Sequence, residues 1–185
     1  MKARFITDDE IDFLRHKMGK NFLPFEVALQ TGLRIGDVLK LRHQDISGNK
    51  IYFVSQKTGK AGVAVVKAAL ARRLREPNGS EWCFPGRDVR KPLTRQAAWA
   101  RIKRVCEDEN MASDGISPHS TRKAFAVRTL RAGGIEAVKK ALQHSDLRTT
   151  EIYALSDWLT GENAELPLKR KDISFLIDEI LRVLK

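Results

Sequence analysis

The chain is poor in cysteine, histidine and tyrosine. Its 185 residues include two cysteines, four histidines and two tyrosines. Cys83 and Cys106 form no Cys-x-x-Cys pair, and no two histidines have the spacing of a zinc-binding helix. These shortages disfavour a disulfide-stapled domain and a zinc site. Both cysteines are therefore expected to be reduced and structural, and no metal or other cofactor is predicted.

Long apolar runs are also missing. No apolar stretch approaches the roughly 20 residues that cross a bilayer, and the charged start MKARFITDDE does not match a signal peptide. The sequence has no internal repeat and no low-complexity segment. With 42% hydrophobic and 31% charged residues, it is typical of one globular domain with a single core. We expect the protein to be cytoplasmic and without a membrane partner.

Lysine and arginine are abundant. Thirty-four of them against 23 acidic residues give a net charge of +11, which attracts polyanions. The basic residues cluster within residues 67–75, 87–91, 95–104 and 122–131. Solvated helix faces would give similar clusters, but the total charge favours a nucleic-acid partner.

The periodicity of the sequence predicts helices around one strand-rich stretch. Thr7 and Glu10 have the capping-box spacing at the start of the first helix, and the second helix is predicted to end at Gly32, before a short helix RIGDVLKL. Three strands, HQDIS, KIYFVSQ and AGVAVV, follow. The rest is predicted to be helical, with breaks at Gly133-Gly134 and at His144. The predicted fold class is α+β, a mainly α-helical domain with a small three-stranded antiparallel sheet.

Cleaving a phosphodiester without a metal needs a defined set of side chains. Arginine suits the non-bridging oxygens because its planar fork gives two parallel hydrogen bonds and keeps its proton. A side-chain nucleophile and an acid for the leaving oxygen complete the set. Arg34 is predicted at a helix start, with Asp37 placed to hold its guanidinium. His119 and Arg122, at i and i+3, are predicted to lie on one helix face.

Four motifs follow one another along the chain: TGLRIGDVLKLRHQDI, QKTGK, PHSTRKAFAVRTLRAGG and LQHSDLRTTEIYA. In this order they resemble the arginine box, the strand-turn lysine, the HxxR box and the histidine–tyrosine box of the tyrosine recombinases, the phage integrase family. Each motif is weak alone, but four in order argue against coincidence. The resemblance extends from about Thr31 to Ala154.

The resemblance implies that Tyr153 is the nucleophile, which forms a 3′-phosphotyrosyl bond to DNA and releases a 5′-hydroxyl. It implies Lys57 as the general acid for the 5′-oxygen, although Lys60 borders the same turn. Standing alone, Tyr153 would be read as a packed tyrosine on an amphipathic helix. The other tyrosine, Tyr52, lies in a predicted strand and is interpreted as sheet packing.

The same resemblance implies the residues that hold the phosphate. Arg34 and Arg122 would clamp the non-bridging oxygens, and His144 would donate a further hydrogen bond. His119 would assist proton movement at the tyrosine or hold the phosphate, and Asp37 would have a supporting role.

The sequence departs from the family pattern at several positions. Lys123 stands where a histidine often follows the second arginine, Asp37 replaces a more usual glutamate, and HST replaces HDL. Gln143 replaces the glycine usual before the last histidine and brings side-chain bulk to that turn. A slower or differently regulated enzyme is one consequence of these changes.

The resemblance also implies a domain organisation and an assembly. We expect a catalytic domain over residues 1–170 and an amphipathic C-terminal helix over 171–185 that docks in cis or in trans. The amino-terminal DNA-binding domain usual in the family is not in the sequence, which favours an excised fragment over a minimal lineage. Double-stranded DNA is the expected partner. The implied assembly is a homo-tetramer on DNA and a monomer or weak oligomer alone, associated with the nucleoid.

The predicted activity is site-specific recombination or integration by phosphotyrosine transesterification. Two alternatives stay open from the sequence. One is strand cleavage like that of a type IB topoisomerase, and the other is a non-catalytic DNA-binding protein on a recombinase scaffold.

Overall fold

The computed structural model describes residues 6–109, 111, 116–117 and 120–141, with side chains in the last helix described for 120–133 and 137. Six helices and three strands lie in these residues: α1 Asp8–Met18, α2 Leu23–Thr31, α3 Ile35–Val38, β1 Ile46–Ser47, β2 Lys50–Val54, β3 Ala61–Val65, α4 Ala68–Arg75, α5 Arg95–Asp108 and α6 Ser120–Ala141. The α+β prediction is confirmed. None of the helices in these ranges is long and apolar enough to cross a membrane.

The core forms around α2. This helix is apolar on nearly all sides, as expected of a helix surrounded by protein, and Phe25, Val27 and Ala28 are fully buried. It packs against α6 on one side and contacts β3 on another, while α1 packs against α5. The end of α2, where the predicted arginine box begins, and the start of α6, which carries part of the predicted HxxR box, therefore belong to two helices that pack together.

The first helix starts at the predicted capping box. The Glu10 backbone N–H donates to the Thr7 hydroxyl at 3.3 Å, and the Glu10 carboxylate accepts from the Thr7 N–H at 2.9 Å. Two backbone donors that the helix leaves without partners are thus satisfied.

Removing this cap tests its contribution. Thr7→Ala is expected to lower the free energy of unfolding by about 1 kcal/mol, because the Glu10 N–H loses its acceptor. Urea unfolding followed by circular dichroism measures the change. Thr7→Ser keeps the hydroxyl and should stay within about 0.5 kcal/mol of the parent; equal losses in both variants would contradict the role of the cap.

The sheet has the order β1-β2-β3 and is antiparallel throughout. The predicted strand at HQDIS is wrong in its first half: His43–Asp45 form a 3-10 turn, and only Ile46–Ser47 pair with β2. The turn is held by side chains, because the Asp45 carboxylate accepts from the Arg42 N–H at 2.8 Å. His43 is a polar structural residue, with its Nδ1 2.7 Å from the Leu74 carbonyl.

One face of the sheet covers the core and the other faces outward. Ile51 is fully buried, whereas Tyr52 is 46% exposed and pairs with Val63 on the outer face. The interpretation of Tyr52 as sheet packing is therefore right about the strand but wrong about the side chain, because alternate residues of a strand point to opposite faces.

The predicted break at Gly133-Gly134 is also wrong. Helix α6 runs without interruption from Ser120 to Ala141. A β-carbon at Gly133 would lie only 2.7 Å from the β-carbon of Ala137. Glycine is thus required here for a close approach inside a helix rather than for a turn, and the sequence pattern is the same in both cases.

Both cysteines are free and buried. Burial raises the pKa of the Cys83 thiol to about 12, and the nearby Asp45 carboxylate adds to the effect. The thiol therefore stays protonated and unreactive in the folded protein, as expected of a structural cysteine.

Candidate active site

The site begins at the turn between α2 and α3. Thr31 donates its hydroxyl to the Val27 carbonyl at 2.7 Å and accepts the Leu33 N–H at 3.2 Å. Gly32 then adopts a left-handed conformation with φ of 68°, which glycine allows without strain. The chain reverses sharply, and Arg34 becomes the N-cap residue of α3 in an extended conformation.

Arg122 reaches the same turn from the distant helix α6. It lies in the first turn of that helix, which starts at Ser120 as the HSTR motif predicts. Its side chain is only 7% exposed, and its Nη1 donates to the Gly32 carbonyl at 2.5 Å. The contact joins residues 90 positions apart and places the second predicted arginine beside the turn that carries Arg34.

Lys57 lies in the exposed turn between β2 and β3. The turn is closed by backbone bonds: Ser55 N–H to the Lys60 carbonyl at 2.9 Å, and Gly59 N–H to the Ser55 carbonyl at 2.7 Å. Both Lys57 and its neighbour Lys60 are exposed. The position is suited to a lysine that reaches out to a ligand.

The turn is attached to α3 through Asp37. The Asp37 Oδ1 accepts the Gln56 backbone N–H at 3.0 Å, and the Gln56 Nε2 donates to the Gly36 carbonyl at 2.6 Å. The Asp37 backbone N–H donates to the Arg34 carbonyl at 2.8 Å, but in the described part of the chain no hydrogen bond or ion pair joins the Asp37 carboxylate to the Arg34 guanidinium. The expectation that Asp37 holds this guanidinium is thus corrected: the buried carboxylate holds the lysine turn instead.

Three predicted site residues lie outside the described residues: His119, His144 and Tyr153. Gln143 and the expected C-terminal helix at 171–185 lie outside them as well. Lys123, next to Arg122, is 1% exposed and makes contacts inside the protein. The structure thus brings Arg34, Arg122 and the Lys57 turn to one short segment, residues 32–37.

Sequence reasoning did not identify Gln56 and Arg95 as site residues. A β-carbon on Gly36 would lie 3.4 Å from the Arg95 Cδ and 3.8 Å from the Gln56 Nε2. Arg95 belongs to a basic cluster visible in the sequence, but nothing there distinguishes it from its neighbours. Gln56 has no sequence signal beyond its position before Lys57.

Three cations on this part of the surface lack acidic partners among the described residues. Arg34, Lys57 and Arg95 form no ion pair with any residue that the structure describes. Farther along α5, by contrast, Lys103 pairs with Glu107 at 3.4 Å, and Arg104 lies 3.9 Å from Asp108. Cations without acidic partners around one turn are suited to hold an anion such as a phosphate.

Metal-binding groups are not clustered in this region. Among residues 6–109, 111, 116–117 and 120–141, no three histidine, cysteine, aspartate or glutamate side chains are grouped to hold an ion. The site's donors in that part of the chain are guanidinium, ammonium and amide groups.

Known proteins resemble this chain in sequence. The model of the phage integrase family matches residues 5–158. The chain is 33% identical over 154 residues to the putative integrase/recombinase y4qK of Sinorhizobium fredii, covering 77% of this chain and 50% of that protein. It is 32% identical over 142 residues to the tyrosine recombinase XerD of Vibrio vulnificus, covering 69% of this chain and 46% of that protein. The chain thus spans about half the length of these curated relatives.

Solved structures share the fold at low identity. A lambda integrase dimer bound to a COC′ core site gives a TM-score of 0.69 at 16% identity, covering 92% of this chain and 51% of that one. The lambda integrase catalytic core gives a TM-score of 0.64 at 19% identity, covering 77% of this chain and 92% of that one. Together, the match to the family model over most of the chain, the sequence relatives and the shared fold show that this protein belongs to the phage integrase family of tyrosine recombinases.

Proposed function

We propose that this protein is a site-specific DNA recombinase that cuts and rejoins strands through a 3′-phosphotyrosine intermediate. The observation that carries the proposal is the meeting of Arg34 and Arg122, from two distant helices, at one turn to which the Lys57 turn is also attached. Fixed cations there stabilise the charge that develops on a phosphate in the transition state.

The residues of the set divide the proposed reaction between them. The Tyr153 hydroxyl loses its proton, to His119 or to solvent, and its oxygen bonds to phosphorus while the bond from phosphorus to the 5′-oxygen breaks; the Lys57 ammonium protonates that 5′-oxygen. Arg34 and Arg122 hold the non-bridging oxygens, His144 donates a further hydrogen bond, and His119 acts on the same phosphate or on the tyrosine proton.

Double-stranded DNA is the proposed substrate and partner. The net charge of +11 supports this choice, as do Arg34, Lys57 and Arg95, which form no ion pair with a described residue. The structural relatives include a lambda integrase dimer on a core site and a lambda integrase tetramer on a Holliday junction. We therefore propose a tetramer on DNA, with the C-terminal segment 171–185 docking in cis or in trans.

A nicked suicide duplex tests the proposed function. Cleavage releases a short fragment, so a covalent protein–DNA adduct accumulates and is seen as a shifted band on a denaturing gel. Tight binding without an adduct would contradict the proposal and indicate a DNA-binding protein. A reaction with two intact duplexes then separates recombination, which joins strands of one duplex to strands of the other, from swivelling, which returns each duplex resealed.

Arg95 is expected to contact a DNA phosphate beside the site. Arg95→Ala should weaken DNA binding. It should also make the negative slope of log affinity against log salt shallower by about 0.9, because one phosphate contact is lost. Fluorescence anisotropy at several salt concentrations measures the slope. Lys103→Ala removes the same charge from the same helix, but that lysine is paired with Glu107 and its loss should leave the slope unchanged. Equal slopes for the two variants would contradict the assignment.

A further inference from the structure

Two separate sets of hydrogen bonds hold the turn that carries Lys57: one within the turn and one to helix α3. Its own backbone bonds, between Ser55 and Lys60 and between Gly59 and Ser55, hold the turn closed. They do not relate it to the rest of the site. The hydroxyl of Ser55 is buried and makes no hydrogen bond in the described part of the chain, so it adds no attachment there.

Gln56 supplies the attachment to the arginine helix. Its backbone N–H donates to the Asp37 carboxylate at 3.0 Å, and its side-chain amide donates to the Gly36 carbonyl at 2.6 Å. That carbonyl lacks its usual helical partner, because the Lys40 N–H bonds to the Asp37 carbonyl at 3.3 Å instead. A short helix leaves such groups unsatisfied, and here the residue before Lys57 takes one of them.

The two bonds define where Lys57 stands relative to Arg34. Arg34 is the N-cap of α3, two residues before Gly36, and Lys57 directly follows Gln56. We infer that Gln56 is a positioning residue, which keeps the Lys57 ammonium within reach of the leaving 5′-oxygen while Arg34 holds the same phosphate. This inference rests on the proposed function.

The inference separates proton transfer from phosphate binding. When the Tyr153 hydroxyl loses its proton, to His119 or to solvent, and its oxygen bonds to phosphorus, the bond from phosphorus to the 5′-oxygen breaks and Lys57 gives that oxygen a proton. Loss of the Gln56 amide would displace the lysine but leave Arg34 and its contacts in place. Small misplacements of a catalytic group reduce rates strongly. We therefore expect loss of the Gln56 amide to slow protonation of the 5′-oxygen and to leave phosphate binding by Arg34 unchanged.

A substrate with a sulfur in place of the bridging 5′-oxygen distinguishes these steps, since a thiolate leaves without being protonated. In single-turnover cleavage of suicide duplexes by the full chain, Gln56→Ala should be slowed about 10- to 100-fold on the oxygen substrate. On the sulfur substrate it should cleave at nearly the parent rate. Lys57→Ala should show the same pattern with a larger loss on oxygen.

Gln56→Glu provides a second variant, because a carboxylate of similar size cannot donate to the Gly36 carbonyl. Gln96→Ala, an exposed glutamine on α5, controls for the substitution itself. Equal slowing on both substrates, or no slowing on either, would overturn the role of Gln56. If the parent chain forms no adduct on either substrate, the proposed function itself fails, which is a distinct result.

Discussion

Tyr153→Phe is expected to abolish the covalent protein–DNA adduct completely while leaving DNA binding close to that of the parent chain. The substitution removes only the oxygen that forms the bond to phosphorus, and phenylalanine keeps the aromatic ring. Suicide-substrate gels measure the adduct, and anisotropy measures binding. Peptide mapping of the parent adduct should locate the DNA on the peptide that contains Tyr153.

The chain contains its own matched control, because it has only two tyrosines. Tyr52 is about half exposed on the outer face of the sheet, so Tyr52→Phe removes a hydroxyl of the same chemistry without entering the site. This variant should form the adduct at the parent rate. Loss of the adduct in Tyr52→Phe, with retention in Tyr153→Phe, would reverse the assignment of the nucleophile.

The two arginines are expected to have equal effects on cleavage but different effects on stability. Arg34→Ala and Arg122→Ala should each slow single-turnover cleavage about 10²- to 10³-fold, the cost of removing one donor to developing charge. Only Arg122 is nearly buried and donates to a backbone carbonyl, that of Gly32. Arg122→Ala should therefore also lower the free energy of unfolding by about 1.5–3 kcal/mol, measured by urea denaturation.

Arg104→Ala is the control for both measurements. Arg104 is exposed and lies 3.9 Å from Asp108 on the same helix, an ion pair worth little at a protein surface. Its loss should change neither the cleavage rate nor the stability appreciably. If Arg34→Ala destabilises the protein as much as Arg122→Ala does, the distinction drawn from the two environments is wrong.

Local signals predicted much of the fold. The Thr7 capping box and the αL glycine Gly32 define helix ends through contacts within four residues, and such contacts are legible in the sequence. The run of β-branched and aromatic residues in KIYFV, which follows the turn Gly48-Asn49, predicted β2 for the same reason. The continuity of α6 through Gly133-Gly134 could not be predicted, because glycine serves a turn and a close helical contact equally well.

By itself the sequence determined the family motifs, their order and the residue types available for phosphate chemistry, since these depend only on which side chains are present and on their spacing. The tertiary structure alone decided which groups meet. It joined the Asp37 carboxylate to Gln56 rather than to the Arg34 guanidinium, brought Arg122 to the Gly32 carbonyl and placed Arg95 beside Gly36. Such contacts join residues far apart in the chain, and they depend on how the helices pack around α2 rather than on any local pattern.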